Sequence, residues 1–211
     1  MSPVSLPLPA AVVDGRIIGI LRGYCHQDAM ERIGALNDAG LRCIEVAMGH
    51  PDSARTIAVA RGTYPHLTLG AGTITSEASL RRAVGSGAQF LLSPNIDPGL
   101  IAMSVAHGVP FIAGGHTATE CLAGMRAGAS AIKVFPASTG GVGHIKALLQ
   151  PFPELALVPT GGVSAENARS YLQSGAVAVG VGTSLTALDG ADLAAAIRTI
   201  NGVTKLDGSP S

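Results

Sequence analysis

Lys133 is the residue best suited to covalent chemistry in this sequence. It lies inside the run Ala129-Ser130-Ala131-Ile132-Lys133-Val134-Phe135-Pro136-Ala137, which Ala127-Gly128 introduces and Pro136 stops. Small and apolar residues bounded in this way read as a short buried strand. A strand covered on both faces offers an ammonium no water, so burial favours the neutral amine, a nucleophile toward carbonyls. The plainer alternatives are a head group that snorkels out at the strand end, or one paired with a buried carboxylate. The chain holds only three lysines, at 133, 146 and 205, so one inside an apolar run stands out.

Glu45 is placed in the same way, within Cys43-Ile44-Glu45-Val46-Ala47. A carboxylate there needs a partner, and Lys133 can supply one, either as a structural ion pair or as the amine that a general acid/base serves. Arg22 follows the run Ile17–Leu21 and suits a bidentate clamp on a carboxylate or phosphate, or equally a solvated loop. Gly161-Gly162 and Gly182-Thr183-Ser184 each close an apolar run. Glycine lets backbone N–H groups approach an anion, and hydroxyls add donors. Each turn alone is ordinary turn chemistry; the two together point to a phosphate. The six histidines form no spaced ligand set and no serine sits in a nucleophile elbow, so no metal is expected.

These groups must be held by something, and a repeated punctuation mark shows what. Gly40, Gly87, Gly108, Gly128 and Gly175 each close a helical pattern and precede a short apolar run. The marks recur about every 20 residues, or about twice that where proline-containing segments replace one, which is the length of a compact βα unit. Eight apolar runs result: Ile17–Leu21, Arg42–Val46, Thr68–Ala71, Gln89–Leu92, Pro110–Ala113, Ala131–Phe135, Ala156–Pro159 and Val177–Val181. Helical patterns between them include Asp28–Ala39, Ser76–Val84, Pro98–Ala106, Thr119–Ala127 and Ala165–Ser174. Eight such alternations predict a single-domain (β/α)8 TIM barrel over 1–211, with a doubly wound open sheet as the alternative. Residues 1–14 read as a lead-in and 201–211 as a frayed tail. In a barrel of this kind every group named above falls at the C-terminal strand ends, where one mouth gathers them.

Composition agrees and excludes other classes. Of 211 residues, 47% are hydrophobic and only 13% charged, which suits strands covered on both sides with surface also lost between subunits. Zero net charge offers no field for nucleic acid or anionic lipid. No apolar run reaches a membrane span, and the first residues lack the basic-then-apolar pattern of a secretory signal. Three cysteines without ligand spacing suit reduced thiols in a cytoplasmic protein.

Arg22, Glu45, Gly72-Thr73, Ser93-Pro94-Asn95, Thr117 with Glu120, Lys133-Val134-Phe135-Pro136, Thr160-Gly161-Gly162 and Gly182-Thr183 together resemble the 2-keto-3-deoxy-6-phosphogluconate / 6-phosphogalactonate aldolase family. The likeness runs from Ile17 to Leu185; the segment after Leu185 matches no pattern of the family. It implies a class I aldolase of carbohydrate metabolism: a homotrimeric, metal-independent barrel without a cofactor, acting on a phosphorylated keto acid. By that likeness Lys133 forms a Schiff base with pyruvate and Glu45 shuttles protons. Thr73, Pro94 and Phe135 line the pyruvate pocket, and Arg22 and Thr160 touch substrate. Gly161, Gly162, Gly182, Thr183 and Ser184 hold the phosphate. Met48-Gly49-His50-Pro51 stands where phosphogluconate-type members usually carry an arginine. Leu21-Arg22-Gly23 and Ser93-Pro94-Asn95-Ile96 look more like the phosphogalactonate branch, and Thr160 more like the phosphogluconate branch, which leaves the C4 epimer open. Two other readings compete: a different phosphate-binding barrel enzyme, and a barrel that binds a sugar phosphate without turning it over.

Overall fold

The computed structural model describes residues 5–202. Eight strands, β1 (Ile17–Leu21), β2 (Cys43–Ala47), β3 (Thr68–Gly72), β4 (Leu91–Leu92), β5 (Phe111–Gly115), β6 (Ala131–Val134), β7 (Leu157–Pro159) and β8 (Val179–Val181), form one parallel sheet. Each strand pairs with its neighbours in sequence, and β8 returns to pair with β1. The seam between β7 and β8 is closed by the Thr160–Gly180 bridge and by the Val177 N–H donating to Leu157 O at 3.0 Å. The architecture is the (β/α)8 barrel.

The helices are α1 (Ala10–Val13), α2 (His26–Asp38), α3 (Ser53–Thr63), α4 (Glu77–Gly85), α5 (Pro98–Ala106), α6 (Ala118–Arg126), α7 (Ala137–Leu149), α8 (Ala165–Gln173), α9 (Thr183–Thr186) and α10 (Gly190–Asn201). The glycine marks behave as helix stops should. Gly40, Gly87, Gly108, Gly128 and Gly175 all take positive φ, between 71° and 106°, which a side chain resists. Starts are encoded as well. Asp97 accepts from the N–H groups of Gly99 and Leu100 ahead of Pro98, and Thr117 with Glu120 forms a capping box on α6.

Five runs become strand later than their sequence suggests, Pro110–Ala113 and Ala156–Pro159 by one residue and three others as follows. In Gln89–Leu92 the backbone already bonds to β3 at Gln89 and Phe90, and the Gln89 side-chain oxygen also takes the Leu69 N–H at 2.9 Å, while the strand itself spans only Leu91–Leu92. In Val177–Val181 the chain changes partners: Val177 bonds to β7, and the Val179 N–H donates to Arg16 O. At Arg42 the guanidinium turns back onto the carbonyls of Asn37 and Leu41, and β2 starts one residue on. The segment after Leu185 forms α10, which packs on α8 and α9. Of the tail expected to fray, Asn201 ends α10, Gly202 caps it in the left-handed conformation, and residues 203–211 lie outside the described chain.

The core has two shells. Ile17, Ile44, Leu69, Leu91, Phe111, Ile132, Leu157 and Val179 point outward under the helices. Their neighbours Ile18, Ile20, Cys43, Phe90, Leu92, Ile112, Ala131, Val158 and Ala178 fill the barrel interior, and Val12 of α1 joins them. Both alternations are apolar, so each strand reads in sequence as an unbroken run.

Candidate active site

Interior positions alternate along every strand, and toward the C-terminal ends glycine takes several of them. Phe90 fills the space over Gly70, where an added Cβ would overlap its ring. One step higher stand Gly72, Gly114 and Gly180. A side chain on Gly72 would overlap the Glu45 carboxylate, one on Gly114 the Pro94-Asn95 backbone, and one on Gly180 Thr160. Glycines thus clear the upper interior, and Glu45 and Lys133 occupy the cleared layer.

The Lys133 Nζ stands 3.8 Å from Glu45 Oε2, with the side chains 2% and 0% exposed. That is close enough for an ion pair and too long for a hydrogen bond. Both Glu45 oxygens are buried without any hydrogen-bond partner among the described residues. Such a carboxylate is costly as mere packing, because its lost hydration is not replaced. Nζ also lies 5.6 Å from the centroid of the Phe135 ring. Beneath them, burial and the Glu45 charge push the Cys43 thiol far up, so it is an inert packing group. Among the described residues no three His, Cys, Asp or Glu side chains converge as a metal site.

Above this layer opens a cavity of about 630 Å³. Its wall holds Arg22, Phe135, Thr160, Gly161, Gly162, Gly182, Thr183 and Ser184, so eight of the residues singled out in the sequence meet in one place. Arg22 is exposed there and makes no hydrogen bond or ion pair with the described residues. Gly161 and Gly162 both take positive φ, 86° and 78°, and an added Cβ would press the first on Phe135 and the second on Ser138. The N–H groups of Gly161, Gly162 and Gly182 find no acceptor among the described residues. Two hydroxyls are already committed: Ser184 Oγ donates to Val163 O at 2.9 Å and Thr160 Oγ1 to Val158 O at 3.2 Å.

Lys133 and Glu45 are not on the cavity wall, nor are Thr73 and Pro94, which follow β3 and β4 at the same end of the barrel. Thr73 has φ 61°, a left-handed conformation that costs a β-branched residue about 1–3 kcal/mol. Backbone strain of this sort gathers at functional sites. The wall also contains residues that sequence reasoning passed over, notably Tyr24, Val163 and Ser164. On the far rim, Glu120 accepts from the N–H groups of His116 and Thr117, at 2.9 and 2.7 Å, and from the Thr117 hydroxyl. Those bonds hold its carboxyl below the usual range. The His144 ring stacks on His116 with centroids 4.5 Å apart, tying α7 to this rim.

A barrel that buries an amine–carboxylate pair beneath a rim of unpaired amides belongs to the class of (β/α)8 enzymes that work at the C-terminal mouth. Comparison with known proteins narrows the class. Residues 9–199 match the model of the family described as "Aldolase: KDPG and KHG aldolase", and the chain belongs to that family. It is 36% identical over 182 residues to the "Probable 2-dehydro-3-deoxy-6-phosphogalactonate aldolase" of Rhizobium meliloti (strain 1021), covering 85% of each chain. It is 35% identical over 158 residues to the "2-dehydro-3-deoxy-phosphogluconate aldolase" of Treponema pallidum (strain Nichols), covering 74% of this chain and 75% of that one. Among solved structures it superposes, with TM-score 0.80 and 25% identity over 93% of this chain and 97% of the other, on KDPG aldolase from Legionella pneumophila "with pyruvate captured at low pH as a covalent carbinolamine intermediate". The chain is an aldolase of this family, a carbon–carbon lyase. No helix of the described residues is long and apolar enough to cross a membrane.

Proposed function

We propose that this aldolase cleaves a 2-keto-3-deoxy-6-phospho sugar acid, of the galactonate or gluconate series, to pyruvate and glyceraldehyde 3-phosphate through an imine on Lys133. The observation that carries the proposal is the Lys133–Glu45 pair, buried, 3.8 Å apart and without hydrogen bonds to spend elsewhere. The covalent carbinolamine in the Legionella relative is the chemistry this pair would perform.

Lys133 gives a proton to Glu45 and its free amine adds to the C2 carbonyl, the second amine proton passing to the oxygen; Glu45 then returns its proton to the resulting hydroxyl so that it leaves as water. The iminium is an electron sink. Glu45 then takes the proton of the C4 hydroxyl, the C3–C4 bond breaks, and its electron pair moves into the iminium to give an enamine. The aldehyde carrying the phosphate departs; protonation at C3 and addition of water release pyruvate and the free amine. Atoms and protons balance without a metal or cofactor. Thr73, Pro94 and Phe135 would border the three pyruvate carbons. The amides of Gly161, Gly162 and Gly182, with Thr183 and Ser184, would receive the phosphate, and Thr160 would face the middle of the chain. Arg22 shares their cavity wall, which favours the phosphate end over the carboxylate end for its guanidinium.

Two further properties follow the family. The chain would act as a homotrimer: α5 carries no charged residue from Pro98 to Ala106 and leaves Ala102 and Ala106 exposed. Its three free thiols suit the reducing cytoplasm.

Borohydride reduction in the presence of pyruvate tests the central step. A mass increment mapping to Lys133 is expected, and no increment at saturating pyruvate would overturn the imine. Turnover should persist in EDTA, and rates on the two C4 epimers assign the series.

A further inference from the structure

We propose that Tyr24 is a specificity-determining residue for this reaction, donating its phenol hydrogen bond to the phosphoryl group of the substrate. The proposal rests on the phosphate reading given above and adds to it a residue from a different part of the barrel.

The cavity is an arc. Its wall is drawn from the ends of β6, β7, β8 and β1, in their order around the barrel. Phe135 of the β6 end lies beside Lys133, and the glycine turns of β7 and β8 form the middle. Arg22, Gly23 and Tyr24, which follow β1, complete the wall beside the β8 turn. A group held by the β7–β8 turns therefore has the β1 extension next to it.

Tyr24 is built to act there. Its ring is half-buried and packs against the core shell beneath the helices, which fixes where the phenol oxygen can go. That oxygen has no hydrogen-bond partner among the described residues. Tyr171 is the contrast: its hydroxyl is spent on Ala137 O at 3.2 Å. The Tyr24 oxygen is not among the buried polar atoms, so it faces open space and is free to donate to a ligand. The half-buried Tyr64 phenol is likewise unpartnered among the described residues but does not line the cavity, and it is the place beside Arg22 that singles out Tyr24. Among the other wall hydroxyls, those of Thr160 and Ser184 donate to backbone carbonyls, while that of Thr183 in the β8 turn is free like the Tyr24 phenol. With the Arg22 guanidinium also unengaged, this end of the cavity offers a cation and an uncharged donor side by side. That pairing recognises a phosphate dianion and gives little to a neutral terminal alcohol.

The test compares Tyr24→Phe with wild type on a phosphorylated 2-keto-3-deoxy acid and on the same acid without phosphate. The expected result is a KM for the phosphorylated substrate raised about tenfold with kcat nearly unchanged, since a hydrogen bond to a charged acceptor is lost in ground and transition states alike. The unphosphorylated acid should show no change. Inorganic phosphate, titrated calorimetrically into the free protein, should bind about tenfold more weakly to the variant. Tyr24→Leu, which keeps an apolar anchor for the loop, should give the same shift, and matching unfolding midpoints confirm that both variants fold. Equal shifts for both acids, or none for the phosphorylated one, would overturn the proposal, as would a wild type that does not bind phosphate. A wild type that binds phosphate but traps no pyruvate refutes the imine reading instead, and the phosphate titration still decides Tyr24.

Discussion

The two halves of the barrel interior are made by the same strands and do opposite things. In the lower half Ile18, Cys43, Phe90, Ile112, Ala131, Val158 and Ala178 close-pack, and Val12 plugs the end. One interior step higher, Gly72, Gly114 and Gly180 replace side chains with space, and that space holds the Glu45 carboxylate, the Pro94-Asn95 backbone and Thr160 in the layer where Lys133 is buried. The lower half is stabilised by what fills it, while the upper half is kept competent by what is missing from it. A buried charged pair without hydrogen bonds is a poor way to stabilise a fold. It therefore has to be carried by the packing below and by the helix caps outside.

The comparison breaks first at Lys133. Lys133→Ala should abolish borohydride trapping and turnover and cost about 3–5 kcal/mol in urea unfolding, because it leaves the Glu45 carboxylate buried without its partner; Lys133→Met combined with Glu45→Gln, equally inactive, should unfold close to the wild type. A large loss of stability in the double variant would mean that the upper layer is structural after all. Next comes Gly72→Ala, where the added methyl overlaps Glu45. We expect turnover to fall by about a hundredfold, since displacing a reacting group by about 1 Å costs that much. Trapping of pyruvate on Lys133 should survive in part. Unchanged turnover would show that the cleared space is incidental. In the lower half the pattern reverses. Phe90→Ala, which empties the space over Gly70, should cost about 3–5 kcal/mol in urea unfolding, with kcat close to wild type at temperatures where the variant remains folded.

This division also explains what could be read from the sequence. The eight runs and their glycine stops were legible because local rules govern them: αL caps at Gly40, Gly87, Gly108, Gly128 and Gly175, and prolines where a cap is absent. The pairing of Glu45 with Lys133 was legible because two charges in two apolar runs need one another. The clearing glycines were not. Gly70 and Gly72 look like turn residues until strand alternation is known, and that alternation is masked where both faces are apolar. Phe90 and Gly70 meet only through the register of β3 with β4, which no local pattern contains. Tyr24 was passed over for a related reason: a lone aromatic after a strand reads as core, and its ring indeed is, so nothing in the sequence marks its oxygen as unspent.

The smallest effect we predict separates two glutamates. Glu45 has no hydrogen bonds, whereas Glu120 accepts three, from two backbone amides and one hydroxyl at the start of α6. The first is the group we propose for chemistry, and the second serves stability. Because the backbone amide of Thr117, then that of His116, hold the Glu120 carboxyl below its ordinary value, the ionised form is favoured in the folded chain. Its contribution is fully present above the unfolded pKa of about 4 and fades as pH falls through the lower folded value. Glu120→Gln should destabilise the protein near neutral pH by about 1 kcal/mol or less, a cap effect on an exposed side chain. The difference from wild type in urea unfolding should shrink steadily as the pH is lowered below about 4. A difference that stays constant through that range would place the role of Glu120 in the shape of its side chain rather than its charge. A large fall in kcat at neutral pH would move it from the rim into the site.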